Sequence, residues 1–346
     1  MENKKSAIVI DNAFLYAGTE NICNFMTECI SKNSNIDILS VKGTGKPFYS
    51  FSGVNQILTF NDSKHPVFDI VKKIKKEQYN SVFIISMGRL SFEFMLCLMF
   101  FKKNSFTKLI ACEHVSFQSF NFLIKKMKLW ALKKYDKVVV LTELDKNYFL
   151  SKKINAIKIL NPINYRNHIK NKKFRKALAI GRLSRQKGFD ILLSIWKDFI
   201  NNNPGWVLDI AGDGECLEEL KLQCQKLNIS DSVSFLGKIQ DVSSLYKYSD
   251  MFLMTSRYEG LPLVLLEAKS WSLPCIAFDC PTGPREIIVD NKDGFLIEMS
   301  DYYSYLEKMN KLANDFDLLR EFSYNTKLTY KKFSNDAICS QWLELI

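Results

Sequence analysis

Short apolar runs of strand type alternate with amphipathic runs of helix type in two successive blocks. This alternation is the tightest constraint on what the chain can fold into. In the first block, strands are expected at Ala7–Ile10, Ile36–Val41, Gln56–Phe60, Val82–Ser86, Leu109–Cys112 and Val138–Leu141. Helical patterns fall between several of them, at Thr19–Ser31, Pro66–Lys76 and Ser91–Lys102. The second block repeats the scheme with strands at Ala177–Ile180, Val207–Ala211, Val233–Leu236, Met251–Thr255, Pro274–Phe278 and Phe295–Ile297. Parallel neighbours need long crossovers, so strands that alternate with helices form a parallel sheet covered on both faces. The expected fold class is α/β, with two Rossmann-like doubly wound domains facing a cleft. Residues 1–165 form the first, residues 166–330 the second, and residues 331–346 a C-terminal helix that packs back on the first. Ligands of such sheets bind outside the carboxyl ends of the strands.

Charge separates the two halves. Residues 1–165 carry 24 Lys and Arg against 13 Asp and Glu, whereas residues 166–346 carry 24 of each. All of the net +11 therefore sits in the first half, which calls for an anionic partner. No nucleic-acid motif is recognisable, and nucleic acid is not expected as a partner. The segment Phe120–Tyr135 carries Phe120, Leu123, Ile124, Met127 and Trp130 or Ala131 at helical spacing, flanked by Lys125, Lys126, Lys128, Lys133 and Lys134. Two readings stand: an interfacial helix on an anionic inner-membrane surface, or a core helix with a solvated basic face. The charge asymmetry favours the first. The longest apolar stretch, Leu90–Phe101, contains Glu93 and is too short to span a bilayer. The N-terminus does not read as a signal peptide. A cytoplasmic protein, peripheral on the inner face of the plasma membrane, is expected. The nine cysteines show no C-x-x-C spacing and suit small buried residues rather than a metal or disulfide framework.

The motifs gather at strand ends. Glu259 and Glu267 bracket a strand-to-helix turn, E-G-L-P-L-V-L-L-E. Pro262 suits the first helical position, and the amides of Gly260 and Leu261 lie at the positive end of the helix dipole, where a diphosphate can rest. Taken alone, the pair reads more simply as a helix-start acid and a solvated helix residue. Gly181 to Gly188, G-R-L-S-R-Q-K-G, follows the first strand of the second block and offers Arg182 and Lys187 to an anion. Gly212, in A-G-D-G, permits close backbone approach to a nucleotide. In the first block, Gly18 opens a helix after strand one. His114, after Glu113, is one of only three histidines and sits at a carboxyl strand end.

In this order the motifs resemble the retaining, nucleotide-sugar-dependent glycosyltransferases of family 4, which have the GT-B fold. The likeness is strongest over Ala177–Ile297, through G-R-L-S-x-x-K-G, A-G-D-G, F-L-G at Phe235–Gly237 and S-R-Y-E-G-L-P-L-V-L-L-E. It continues through A-G-T-E, E-H, V-V-V-L-T-E at Val138–Glu143 and L-N-P at Leu160–Pro162. The family often has two glycines where this chain has Ala17 and Gly18. Within the family, the P-T-G-P-R-E loop and the E-H pair look like transferases of bacterial capsule, exopolysaccharide or lipopolysaccharide synthesis.

The resemblance implies a role for each residue. Glu267 would bind ribose hydroxyls, and Glu259 would sit beside the donor sugar with Gly260, Leu261 and Pro262 near it. Arg182 and Lys187 would hold the diphosphate, and Gly181 and Gly212 would line the nucleotide sugar. His114 would contact the sugar near its reacting carbon, and Gly18 would line the diphosphate and acceptor side. It also implies transfer of a hexose or N-acetylhexosamine from a UDP-linked donor to a lipid-linked or surface-polysaccharide acceptor. Neither a cofactor nor a metal is expected, since fixed cations and helix N-termini can meet the charge of the leaving diphosphate. The alternatives are a sugar-nucleotide epimerase of similar fold and a non-catalytic nucleotide- or glycan-binding module.

Overall fold

The structure, a computed structural model, describes residues 4–15, 18–101, 107–117, 120–166 and 168–346. The chain divides into two compact units, Met1–Pro162 with Asn335–Ile346, and Ile163–Ser334. The division falls three residues before the expected one, because residues 163–166 are tied to the second unit. The Ile163 N–H donates to the Phe333 carbonyl at 3.0 Å, and the Arg166 N–H to the Ser270 carbonyl at 2.8 Å. The return to the first unit likewise comes at Asn335 rather than at residue 331.

The first unit runs β1 (Lys5–Asn12), α1 (Gly18–Ile30), β2 (Asn35–Lys42), β3 (Val54–Thr59), α2 (Pro66–Glu77), β4 (Ser81–Ser86), α3 (Leu90–Leu98), β5 (Lys108–Glu113), α4 (Phe122–Leu132), β6 (Lys137–Val140), α5 (Glu143–Ser151) and β7 (Ala156–Lys158). The sheet order is β3-β2-β1-β4-β5-β6-β7, and every pairing is parallel. Strands of such a sheet are covered on both faces and so lack polar alternation. All six residues of β4, Ser-Val-Phe-Ile-Ile-Ser, are buried.

The second unit runs β8 (Lys176–Ile180), α6 (Phe189–Asn202), β9 (Val207–Ala211), α7 (Leu217–Lys226), β10 (Val233–Gly237), α8 (Ser243–Lys247), β11 (Met251–Met254), α9 (Leu263–Ser270), β12 (Cys275–Phe278), α10 (Pro284–Ile287), β13 (Gly294–Ile297), α11 (Tyr302–Asn314) and α12 (Phe316–Thr329). Its parallel sheet is ordered β10-β9-β8-β11-β12-β13. The last helix, α13 (Asn335–Leu343), belongs to the first unit, where Trp342 packs edge-on against Phe83 at 6.1 Å.

Both sheets reverse direction of growth once, between β1 and β4 in the first unit and between β8 and β11 in the second. At such a reversal the loops that leave two adjacent strands diverge to opposite faces and open a crevice at the carboxyl edge. The core of the second unit packs α6 onto this sheet through Phe189, Leu192, Leu193, Trp196 and Phe199. Helix α11 is pinned by Tyr305, whose hydroxyl donates to the Ile276 carbonyl at 2.8 Å and accepts from the Met254 N–H at 3.1 Å.

Three expectations need correction. The helix placed at Ser91–Lys102 ends at Leu98, and Lys102 lies outside the described residues. The polar, basic stretch Asn167–Lys176 reads from sequence as a linker, but its described residues are tied down. Asn167 lies outside the described residues, but the Lys170 N–H donates to Ser323 Oγ and the Phe174 N–H to Asp250 Oδ2. The basic helix α4 turns one of its lysines, Lys128, inward and several of its apolar residues outward. Lys128 is buried, donating to Glu113 Oε2 at 2.7 Å and the Gly88 carbonyl at 2.8 Å, while Phe122 and Leu123 are 73% and 67% exposed.

Candidate functional site

The crevice loops of the second unit interlock through backbone. The loop after β8 places the Gly181 N–H on the Ala211 carbonyl at 3.0 Å and the Leu183 N–H on the Asp213 carbonyl at 2.9 Å. Gly212 has φ +142°, and a Cβ there would meet the Gly181 carbonyl oxygen at 1.9 Å. Gly188, at φ +68°, lies so close to Thr255 that a Cβ would meet its carbonyl oxygen at 2.1 Å. Only glycine fits either place. The loops after β8, β9 and β11 therefore form one rigid rim.

Across that rim, Lys187 Nζ donates to Glu259 Oε1 at 2.7 Å. The two residues come from the loops after β8 and β11, on either side of the point where strand order reverses. Glu259 is buried, with a side chain 6% exposed against 20% for Lys187. Its backbone carbonyl accepts from the Thr282 hydroxyl. Arg257 stiffens the same loops from outside. Its guanidinium makes two bonds to the Asp190 carboxylate, at 2.9 and 2.7 Å, and one to the Arg185 carbonyl at 2.6 Å. The Ser256 hydroxyl is buried with no hydrogen-bond partner among the described residues.

Helix α9 starts immediately after this loop. Pro262 is its N-cap rather than its first residue, and no side chain caps the helix start. Its first amides are therefore available to an anion. Leu261 and Pro262 are buried, and Gly260 is half-buried. Glu267 lies on α9, half-buried, and accepts from the Tyr246 hydroxyl at 2.8 Å. Burial pushes its carboxyl above the usual range, against the opposing pull of the Tyr246 bond. Arg182 is 74% exposed and pairs with Glu215 at 3.1 Å.

The first unit has its own crevice where β1 and β4 part. A cavity of about 780 Å³ is lined there by Asn12, Leu15, Thr19, Gly88, Arg89 and Glu93, among others. Gly18 is the first residue of α1, directly before Thr19, and Ala17 lies outside the described residues. His114 leaves the end of β5, its N–H donating to the Ser86 carbonyl at 3.0 Å. Burial pushes its imidazole down to about 4, which favours the uncharged ring at neutral pH.

Among the described residues, no group of three or more His, Cys, Asp or Glu side chains could hold a metal ion. The sequence carries one D-x-D, at Asp315–Asp317, and it starts a helix. The Asp315 carboxylate accepts from the Leu318 N–H at 2.9 Å and caps α12.

Residues 162–329 match the family model described as "Glycosyl transferases group 1". The amylovoran biosynthesis glycosyltransferase AmsD of Erwinia amylovora is 33% identical over 99% of this chain and 99% of its own. The chain belongs to the group 1 glycosyl transferases. It is a glycosyltransferase of the bacterial polysaccharide type, with the GT-B fold. A second relative, the GalNAc-alpha-(1->4)-GalNAc-alpha-(1->3)-diNAcBac-PP-undecaprenol alpha-1,4-N-acetyl-D-galactosaminyltransferase of Campylobacter jejuni, is 26% identical over 95% of this chain and 94% of its own. Among solved structures, Anabaena Alr3699/HepE in complex with UDP superposes with a TM-score of 0.79 at 15% identity, covering 98% of each chain.

The structure thus brings Lys187 onto Glu259, sets Gly181 against Gly212, and places Gly260, Leu261 and Pro262 at one helix start. It puts Arg182 on Glu215 and Glu267 on Tyr246. Sequence reading missed Tyr246, Thr282 and Arg257. Tyr246 carries no motif, and its bond to Glu267 spans 21 residues.

The Lys187–Glu259 pair has a measurable signature. Removing one partner strands a largely desolvated charge, so Lys187→Met should cost roughly 2–4 kcal/mol, somewhat less than a fully buried pair because Lys187 keeps some solvent. Adding Glu259→Gln to Lys187→Met should restore part of that loss in urea unfolding of the second unit. Strictly additive losses would show that the two side chains do not interact.

Proposed function

We propose that this glycosyltransferase moves a hexosyl or N-acetylhexosaminyl group from a UDP-linked sugar to a lipid-linked or polysaccharide acceptor, with retention at the anomeric carbon. The observation that carries the reading is the Lys187–Glu259 pair at the strand reversal of the second unit, beside an uncapped helix start. A diphosphate is the anion that such a lysine and such a helix start accommodate together. As it binds, it competes with Glu259 for Lys187, and the carboxylate is released to sugar hydroxyls. Arg182, exposed and paired only at the surface, can swing from Glu215 to the same phosphates.

The reaction then divides among this chain's residues. The bond from the anomeric carbon to the diphosphate oxygen breaks, and its electron pair goes to that oxygen. Lys187, Arg182 and the amides of Gly260 and Leu261 stabilise the negative charge that develops. The acceptor oxygen bonds to the anomeric carbon on the same face, and its proton passes to the departing phosphate. Glu259 positions the sugar and forms no covalent intermediate. Glu267 accepts from the ribose hydroxyls, while Gly181 and Gly212 let backbone approach the nucleotide. From the first unit, neutral His114 contributes a hydrogen bond to the sugar, and Gly18 lines the diphosphate and acceptor side. No step calls for a metal.

A lipid-linked acceptor is supported by the relative named for a diphosphoundecaprenol substrate. A membrane surface is supported by the basic first half and by α4. There, exposed Phe122, Leu123 and Trp130 stand among Lys126, Lys133 and Lys134. The Lys126 ammonium lies 4.5 Å from the Phe122 ring centre, and that of Lys134 lies 4.9 Å from the Trp130 ring centre. Basic groups over exposed rings suit the headgroup region of an anionic bilayer. Both relatives are named as transferases, and nothing in the site favours an epimerase or a binding-only module.

Lys187→Ala and Glu267→Ala should each lower kcat/KM for the UDP-sugar by about a hundredfold or more. Excess EDTA should leave the rate unchanged; loss with EDTA that Mg or Mn restores would overturn the metal-free reading. In sedimentation at low salt, the chain should bind vesicles containing phosphatidylglycerol and not pure phosphatidylcholine. Phe122→Ser with Leu123→Ser should release it. Equal binding by the double variant would remove α4 from the contact.

A further inference from the structure

Glu267 does not stand free in the second unit. Tyr246, on the short helix α8, donates its phenol to Glu267 Oε2 at 2.8 Å, and the phenol oxygen also lies 3.3 Å from the Val264 carbonyl in the first turn of α9. Tyr246 is only 1% exposed. A phenol has one proton to give, and the shorter contact is to the charged acceptor. Among the described residues only Oε2 of Glu267 is engaged, which leaves Oε1 to accept from a ligand.

The phenol is fixed from behind. Lys170 is also 1% exposed, and its ammonium donates to the Tyr246 carbonyl at 3.1 Å and the Lys247 carbonyl at 3.0 Å, the last carbonyls of α8. A cation at these carbonyls holds the end of a five-residue helix that has little stability of its own. Lys170 is itself anchored through its backbone N–H to Ser323 Oγ on α12 at 3.0 Å. The Phe252 ring of β11 packs 6.0 Å from the Tyr246 ring. A buried ammonium thus holds a helix end, the helix holds a phenol, and the phenol holds one oxygen of a half-buried carboxylate.

Vicinal ribose hydroxyls need an acceptor in a fixed plane, and a glutamate on a helix surface is otherwise free to rotate about three side-chain bonds. We propose that Tyr246, held by Lys170, is a positioning residue that orients Glu267 toward the ribose, so that preference for a ribonucleotide depends on it. The inference rests on the reading of Glu267 as the ribose-binding residue.

Calorimetric titration of the full chain with UDP and with 2′,3′-dideoxy-UDP tests it. The unaltered protein should bind UDP about tenfold or more tightly than the dideoxy analogue, the scale of a hydrogen bond to a charged group. Tyr246→Phe should weaken UDP by about tenfold, leave the dideoxy analogue within about twofold, and so collapse the ratio. In transfer assays the same variant should raise KM for the donor while kcat stays within about threefold. Lys170→Met should collapse the ratio in part. A Tyr246→Phe variant that keeps the ratio, or that weakens both ligands equally, would overturn the proposal, the second result showing a packing role alone. Glu267→Gln separates the two layers. If it leaves the ratio intact, the ribose reading of Glu267 fails and the positioning role falls with it. If it collapses the ratio while Tyr246→Phe does not, only the positioning role fails.

Discussion

The ion pair between Lys187 and Glu259 is the interaction that ties the crevice loops of the second unit together, and the proposed mechanism depends on it. It joins two loops that leave neighbouring strands in opposite directions, at the one place where the second sheet changes its order of growth. Neither residue could hold its position alone. Lys187 is fixed by a loop that glycine contacts press against its neighbours, with Gly188 against Thr255 and Gly212 against Gly181. Glu259 is fixed by the Thr282 hydroxyl at its own carbonyl and by the Arg257 clamp on Asp190. A pair so placed is a store of organised charge. In the proposed mechanism a diphosphate takes over the lysine, so the folded protein has already oriented the groups that the leaving group needs.

The first unit is organised on a different principle. Its buried charge, Lys128 with Glu113, lies beneath α4 and binds that helix to the end of β5, one residue before His114. Lys128 also holds the Gly88 carbonyl, and Tyr135 donates to the Ser91 carbonyl at 2.7 Å. The helix that turns apolar side chains and lysines outward is therefore the helix that fixes the strand end carrying His114. Removing Lys128 would leave Glu113 buried without its counter-ion, the costly half of such a pair.

Much of this was legible in the sequence, for physical reasons. Strands of a parallel sheet are covered on both faces, so Val82–Ser86 and Met251–Thr255 stood out as unbroken apolar runs. The E-x7-E spacing, the glycine turns and the basic loop lay at strand ends in the family's order. Less visible were β7, only three residues long, and α5, whose cap, Thr142 accepting from the Asp145 N–H, directly follows the apolar run Val138–Leu141. The burial of Lys128 was invisible because a lysine on a basic helix ordinarily stays in water. Tyr246 escaped because hydropathy reports that a tyrosine is buried, and not which carboxylate its hydroxyl meets.

The central claim is that Lys187 is organised by Glu259 to receive a diphosphate. Calorimetry with UDP, UMP and uridine on the unaltered chain and on Lys187→Met tests it most directly. The account predicts a large gain in affinity from uridine to UDP in the unaltered chain. It also predicts that most of this gain disappears in Lys187→Met, while uridine binds both proteins alike. A variant that keeps the full phosphate increment, or that loses uridine and UDP affinity in equal measure, would contradict it.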